Sequence, residues 1–455
     1  MSKTHLYHVR TTSIALLTIV LLLLAACNGT PAAEPTSEAE TNQNAASESA
    51  SDASSESAEE PNTASESAAD GDAIVVGMMT DASGLLSIYG PMFEQGFTLG
   101  LEYATDGSNQ VAGRPITVVT KDTSSNPDTG VTLAREAIES DGAQILVGSP
   151  SSPVALAISG VAAENEVIYI AGPAATPALT GENFNEYTFR NGRTSDQDAL
   201  TMGAALLEEG ENFIQIAQDN AFGQGSAAAF YNTIKELDGA FALNDNTDGL
   251  GTVFAPPETT DFTPYINQIL DSGADVLIVT WSGTGFVPMF QQMQQLGVFD
   301  VVTVATGFGD NQTLAQGYAD AVNSVGVSVY HYSLFDNDVN NWLIEKHQEA
   351  YNTPPDLFTE SGFNSALMLV RALEQTEGDP TATAMIDALE GMTFDGPKGQ
   401  YTIRAEDHVL LQPMTLVRLM NTDDPEFKFF EVVRAFETDE VEPPCIVPEE
   451  LGRCG

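Results

Sequence analysis

Residues 144–176 read QILVGSPSSPVALAISGVAAENEVIYIAGPAAT, and the fold follows from how this stretch alternates. Ile145-Leu146-Val147 is a short apolar run ended by Gly148, the pattern of a buried strand. Ser152 stands directly before Pro153. A hydroxyl N-cap followed by a proline, whose missing N–H costs nothing in a first turn, predicts a helix start there. Val154, Ala157, Ile158, Val161 and Ala162 then share one helical face. Ile168-Tyr169-Ile170-Ala171 predicts the next strand, closed by Gly172-Pro173. The unit is β-α-β, with polar groups at the carboxyl ends of both strands, the edge at which open parallel sheets bind ligands. The N–H groups of a helix start, with Ser151 and Ser152 beside them, suit a small anion such as a carboxylate. A serine that only caps its helix has the same signature, so both readings of Ser152 stand.

The alternation continues on both sides. Upstream, Ile74–Met78 and Ile116–Val119 read as strands, each followed by a helical pattern. Downstream, Phe213–Ala217, Asp275–Thr280, Val301–Ala305 and Val325–Val329 read as strands, with helices near 339–351 and 361–375. Repeated βα units mean α/β, doubly wound parallel sheets with helices on both faces. About nine strands are too many for one core, so two α/β lobes are expected. The stretch 181–196, GENFNEYTFRNGRTSD, is the expected first crossing between them.

The chain has 455 residues, with 65 acidic against 16 basic and a net charge of −49. Such a surface excludes binding to nucleic acid or anionic lipid by bulk electrostatics. At the start, Lys3 and Arg10 precede an apolar run, Ile14–Ala26, and then Cys27. This is the layout of a secretory signal. Leu24-Ala25-Ala26-Cys27 resembles the lipobox of bacterial lipoproteins, which implies a lipid on Cys27, a membrane anchor, and a mature protein outside the cytoplasmic membrane. Residues 28–72 are rich in Ser, Ala and Glu, with no aromatic residue and no Lys or Arg, the composition of a disordered tether. Cys445 and Cys454 lie in a Pro-rich tail, 441–455. In an oxidising compartment they are expected to close a disulfide loop, and no further Cys or nearby His supports zinc.

Motifs for chemistry are missing. There is no G-x-x-x-x-G-K-[ST] and no G-x-S-x-G, and Gly283-Thr284-Gly285 and Gly307-Phe308-Gly309 lack the third glycine of a dinucleotide fingerprint. His331, His347 and His408 are not spaced as metal ligands. NDNTDG at 244–249 hints at a calcium loop, but its twelfth position would be Ala255 rather than a carboxylate. No catalytic residues, metal or cofactor are therefore assigned, and a binding protein is expected over an enzyme.

An ordered series across residues 73–434 resembles the branched-chain amino-acid (Leu/Ile/Val) type of ABC-transporter substrate-binding proteins, with the type I periplasmic-binding fold. The series comprises Tyr89-Gly90, Asp122, Val147-Gly148-Ser149-Pro150-Ser151-Ser152, Gly172-Pro173-Ala174-Ala175-Thr176-Pro177, Phe189-Arg190, Asp219-Asn220-Ala221-Phe222-Gly223, Phe394 to Gly399, and Asp407-His408. The resemblance implies two lobes joined by a three-crossing hinge, with 73–192 and 333–398 in the first and 193–332 and 399–440 in the second. It implies a monomeric receptor that closes over a small-molecule solute and presents it to an ABC permease and its ATPase subunits. An amino acid is the expected solute; an amide, urea or another small polar solute is the alternative, as is a sensor in place of a transporter component. By the same resemblance, Ser151, Ser152 and the backbone of Ala174, Ala175 and Thr176 would hold the ligand carboxylate. Tyr89 would shape the first wall, Phe222 and Trp281 would close from the second lobe, and Asp310 would take the ammonium. Phe222 stands where the family often has Tyr, and Gly307 falls at or near the family's ammonium-binding acid.

Overall fold

The computed structural model describes residues 73–454. Cys27 and the expected tether 28–72 lie outside the described residues.

The first lobe begins β1 (Ile74–Thr80), α1 (Gly90–Ala104), β2 (Gln110–Val111), β3 (Arg114–Asp122), α2 (Pro127–Glu139), β4 (Ile145–Gly148), α3 (Ser152–Asn165), β5 (Ile168–Ala171) and β6 (Thr188–Arg190). The six strands form one sheet in the order β2-β3-β1-β4-β5-β6. All pairings are parallel except the β2–β3 hairpin. The period of two along each strand explains how both faces are covered. Ile145 and Val147 point into a core shared with Phe93, Phe97 and Phe363, whereas Leu146 points the other way, against Val154 and Ile158 of α3.

The second lobe repeats the plan with α4 (Ser195–Glu209), β7 (Asn212–Gln218), α5 (Ala221–Glu236), β8 (Ala240–Phe241), β9 (Thr252–Ala255), α6 (Thr263–Ser272), β10 (Val276–Thr280), α7 (Phe286–Gln295), β11 (Thr303–Thr306), α8 (Asn311–Gly317) and β12 (Val325–Ser328). Its parallel sheet runs β11-β10-β7-β8, with β9 also paired to β7. Ile214, Ile216, Leu277 and Val279 face the core made with α6 and α7, and Phe213, Val276 and Ile278 face α4 and α5.

The chain then returns to the first lobe through α9 (Asp338–Tyr351), α10 (Thr359–Gln375) and α11 (Ala382–Leu389). The strands after α11 are antiparallel and depart from the expected βα repetition. β13 (Thr393–Gly396), β14 (Gly399–Ile403) and β15 (Leu410–Leu411) form one three-stranded sheet. β16 (Met414–Leu419) and β17 (Phe430–Phe436) form another with β12. The expected change of lobe at 398/399 falls inside the β13–β14 hairpin. Tyr401, Ile403 and Leu410 are buried in the first core, while Met414 and Leu416 join the second lobe. The change therefore comes at Gln412–Pro413.

The last segment adds a further passage between the lobes. Val441 is fully buried in the second lobe with Phe436 and Leu416. Next to it, Glu442 and the Pro443 carbonyl are held at 2.8 and 2.9 Å by Arg404 of the first lobe. Cys445 and Cys454 are joined in a disulfide. Arg453 then docks on the first lobe, with Nε on the Glu406 carbonyl at 2.7 Å and its guanidinium 4.8 Å from the Phe184 ring centre.

Candidate functional site

The carboxyl ends of the two parallel sheets face each other across a cavity of about 330 Å³. Residues of both lobes line it. This is where an open parallel sheet presents its loops, and the volume lies at the low end for small-molecule sites.

On the first-lobe side the loops are fixed by one buried acid. Asp81, directly after β1, accepts hydrogen bonds from Ser125 N at 2.7 Å, from Ser149 Oγ at 3.2 Å and from the Thr123 hydroxyl. Burial raises its pKa above the ordinary carboxylate value, against the lowering effect of these donors. The β4–α3 loop is thereby tied to the β1 and β3 ends. Ser149 N donates to the Tyr169 hydroxyl at 3.1 Å, and Ser149 Oγ accepts from Ser151 N at 3.2 Å.

Helix α3 starts one residue earlier than the Ser-Pro pair predicts. Ser151 is the N-cap, without a side-chain cap bond, and Ser152 is the first helical residue. The Ser152 hydroxyl does not cap its own helix. It accepts from the backbone N–H of Thr176 at 3.3 Å and so joins the β4 loop to the β5 loop. Its own proton stays free to donate toward the cavity that Ser152 lines.

Tyr89, Ser151, Ser152, Ala175, Phe222 and Trp281 all line the cavity. Ala174, Thr176 and Asp310 do not. The N–H of Ala174 is used on the Ser149 carbonyl at 3.3 Å, and that of Thr176 on Ser152. Asp310 departs most from expectation. It is the N-cap of α8, accepting from Gln312 N at 3.1 Å, Thr313 N at 3.0 Å and Thr313 Oγ1 at 2.6 Å. With these three bonds its carboxylate is committed to the helix start. Gly307 and Gly309, on either side of Phe308, face the cavity instead.

Sequence reasoning missed the charged pair in the wall. Among the described residues, the charged side chains lining the cavity are Arg193 and Asp198. Arg193 Nε reaches Asp198 Oδ1 at 3.3 Å, and its terminal nitrogen reaches Oδ2 at 3.2 Å. Burial raises the Asp198 carboxyl, and the Arg193 charge works against that rise. Arg193 belongs to the crossing segment singled out in the sequence, but a crossing signal does not reveal which side chain turns inward. The aromatic lining was also larger than foreseen, with Phe286, Phe308, Tyr318 and Phe358 added. Their helical or strand spacing marks them as buried without telling a core from a cavity wall.

The two lobes touch across the mouth. Gly283 N donates to the Tyr89 hydroxyl at 3.2 Å, and Thr284 N donates to the Leu85 carbonyl at 3.1 Å. Asp356, ahead of α10, accepts from Asn311 N of α8 at 3.1 Å. The lobes are thus in contact across the mouth of the cavity.

A family model described as periplasmic binding protein matches residues 73–424. The chain is 24% identical over 373 residues to the Leu/Ile/Val-binding protein homolog 6 of Brucella melitensis, covering 80% of this chain and 92% of that protein. It is 33% identical to an ABC-type branched-chain amino acid transporter protein from Rhodopseudomonas palustris of known structure, with a TM-score of 0.68 over 82% of this chain and all of that one (100%). A second R. palustris solute-binding protein, solved in complex with 4-hydroxybenzoate, is 21% identical with a TM-score of 0.73, covering 82% of this chain and 98% of that one.

Proposed function

The chain belongs to the periplasmic binding protein family, and from that premise we propose that it is an extracytoplasmic receptor for an apolar monocarboxylate, an aromatic acid foremost. The family is one of solute-binding proteins, and the chain is an ABC-transporter solute-binding protein rather than an enzyme. Ligand enters between open lobes, is buried on closure, and is handed to a membrane permease whose ATPase subunits drive import. Closure works as a selector because the ligand binds the closed form better than the open one. A lipid on Cys27 would keep the receptor at the membrane.

One observation carries the ligand class. The cavity has aromatic walls, and its acid, Asp198, is already paired with Arg193. An α-ammonium buried there would have no free carboxylate to pair with, and an unpaired buried charge is strongly disfavoured. A carboxylate has donors in the Ser151–Ser152 helix start and the Ala175 turn. The aromatic-acid ligand of one relative supports the same class. The second reading, a branched-chain amino acid, draws support from the names of other relatives.

Thermal-shift screening followed by calorimetry separates the two. Benzoate and 4-hydroxybenzoate are expected to raise the melting temperature, since a ligand that binds only the folded state stabilises it. Leucine, isoleucine and valine are expected to leave it unchanged. The opposite pattern rejects the aromatic-acid reading.

A further inference from the structure

The turn at residues 173–176 is held by two arginines, Arg193 of the cavity wall and Arg190, which lies outside the cavity lining. Arg193 donates to the Pro173 carbonyl at 3.3 Å. Arg190 donates to the Ala174 carbonyl at 2.5 Å and to the Thr176 carbonyl at 2.6 Å. Ser195 takes the remaining carbonyl, Ala175, through its N–H at 2.9 Å and its hydroxyl at 3.3 Å. Every carbonyl of the turn is therefore engaged.

A trans peptide points its C=O and the following N–H in opposite directions. Fixing the Ala174 carbonyl on Arg190 aims the Ala175 N–H the other way. The neighbouring donors are already used, Ala174 N on Ser149 and Thr176 N on Ser152. Ala175 lines the cavity, and its N–H has no acceptor among the described residues.

Arg190 is fully buried, and among the described residues no carboxylate pairs with it. Its Nε has no hydrogen-bond partner at all. A buried cation hydrogen-bonded to neutral carbonyls and a hydroxyl, with Asp196 and Asp407 acting on it from beyond ion-pair distance, leaves positive potential that these acids offset only in part. On a chain of net charge −49 that is the unusual sign. Burial first, and Arg193 next, lower the Arg190 pKa to about 10, against the raising effect of Asp196 and Asp407, so the group stays charged at neutral pH.

We infer that Arg190 is a positioning residue for ligand recognition: it aims the Ala175 N–H into the cavity and supplies the local charge by which the cavity selects an anion over its neutral counterpart. The inference rests on the reading of the ligand as a carboxylate. Arg190 itself does not line the cavity and acts through the turn.

The test is a ratio. Calorimetry on the full chain compares 4-hydroxybenzoate with the neutral 4-hydroxybenzamide in wild type, Arg190→Gln and Arg190→Lys. Wild type is expected to prefer the acid by about tenfold or more, the worth of a charge-assisted hydrogen bond. Arg190→Gln should bring the ratio close to one while amide affinity stays within about twofold, which also reports that the variant has folded. Arg190→Lys keeps a charge but loses the two-carbonyl fork, and should keep only part of the preference. An acid-to-amide ratio unchanged in both variants overturns the inference and leaves the proposed function standing. If leucine binds and the aromatic pair does not, the aromatic reading fails, and the same ratio is read on leucine against leucinamide. A wild type that holds neither carboxylate more tightly than its amide overturns the Arg190 assignment directly.

Discussion

The Tyr89 hydroxyl of the first lobe accepts a hydrogen bond from the Gly283 backbone N–H of the second at 3.2 Å. The phenol ring also meets Phe358 edge-on, with centroids 4.8 Å apart. Burial, and then the Asp310 charge, raise the Tyr89 pKa, so it is a neutral phenol throughout the physiological range. One side chain is thus wall and latch at once. Tyr89→Phe keeps the wall and removes the latch. It is expected to weaken ligand binding by about 0.5–1.5 kcal/mol, the net worth of one hydrogen bond, mostly through faster release. Stopped-flow dissociation checks this, and an unchanged off-rate would show that the contact does not hold the closed form.

Gly283 is a sharper probe of closure. Its φ is +77°, and a Cβ there would collide with the Leu85 carbonyl across the cleft. Gly283→Ala combines backbone strain with an inter-lobe clash. The expected result is a loss of affinity larger than that of Tyr89→Phe, with small-angle scattering showing a wider particle in the presence of ligand. A variant that closes to wild-type dimensions contradicts this.

Asp356 is expected to make closure pH-dependent. It lies in the first lobe and meets Asn311 N and the neighbouring Asp310 of the second. Burial, then Asp310, push its carboxyl up to about 7, against the lowering effect of its Leu357 and Asn311 N–H donors. His331, which contacts Asn311 at 3.1 Å, is pushed down to about 4 by burial and stays neutral. An acid whose pKa rises on closing binds a proton on closing. Affinity is then highest below the ordinary carboxylate value and is lost as pH climbs toward 7. Between about pH 5 and pH 8 the dissociation constant is expected to rise by about threefold or more. Asp356→Asn should flatten the profile. A flat wild-type profile, or a slope retained in the variant, removes Asp356 from the process.

Ser152 bridges two loops through Thr176 N. Ser152→Ala is expected to weaken a carboxylate ligand by ~1–3 kcal/mol, the cost of an unmade hydrogen bond to a charged group. It should affect the neutral amide less. Equal loss for both ligands would mark Ser152 as a loop brace only.

The disulfide holds the tail locally. Cys445→Ser with Cys454→Ser opens a short loop, which the chain-entropy estimate values at about 2–3 kcal/mol. Arg453 and its contacts to Glu406 and Phe184 are expected to fray, with little change in the main melting transition. Limited proteolysis should then cut after Val441 in the double variant and spare the wild type. Equal resistance would show that Arg404 and Arg453 suffice.

The two parallel lobes were legible because apolar runs and capped helices repeat from Ile74 to Ser328 with one period. β13–β17 were not, because short antiparallel strands such as Leu410–Leu411 carry almost no periodic signal. Of the cavity lining, Tyr89, Ser151, Ser152, Ala175 and Phe222 belong to an ordered series of short motifs, and Trp281 follows from what the family resemblance implies. Asp310 misled because an acid before a helix is equally a cap, and that is where its three bonds go. Arg190 stands in that series and Arg193 in the crossing segment, but what they do was hidden for another reason. Their role depends on which carbonyls they meet across the fold, and no spacing encodes that.

The docked tail also brings both ends of residues 73–454 onto one body. Ile74 sits in the first core, and Arg453 is pinned to the same lobe after the chain has visited the second. The first and last described stretches are therefore held by one body, and the other is joined to it through the crossings and the contacts at the cavity mouth. Residues 195–328 and 414–441 make up that other body.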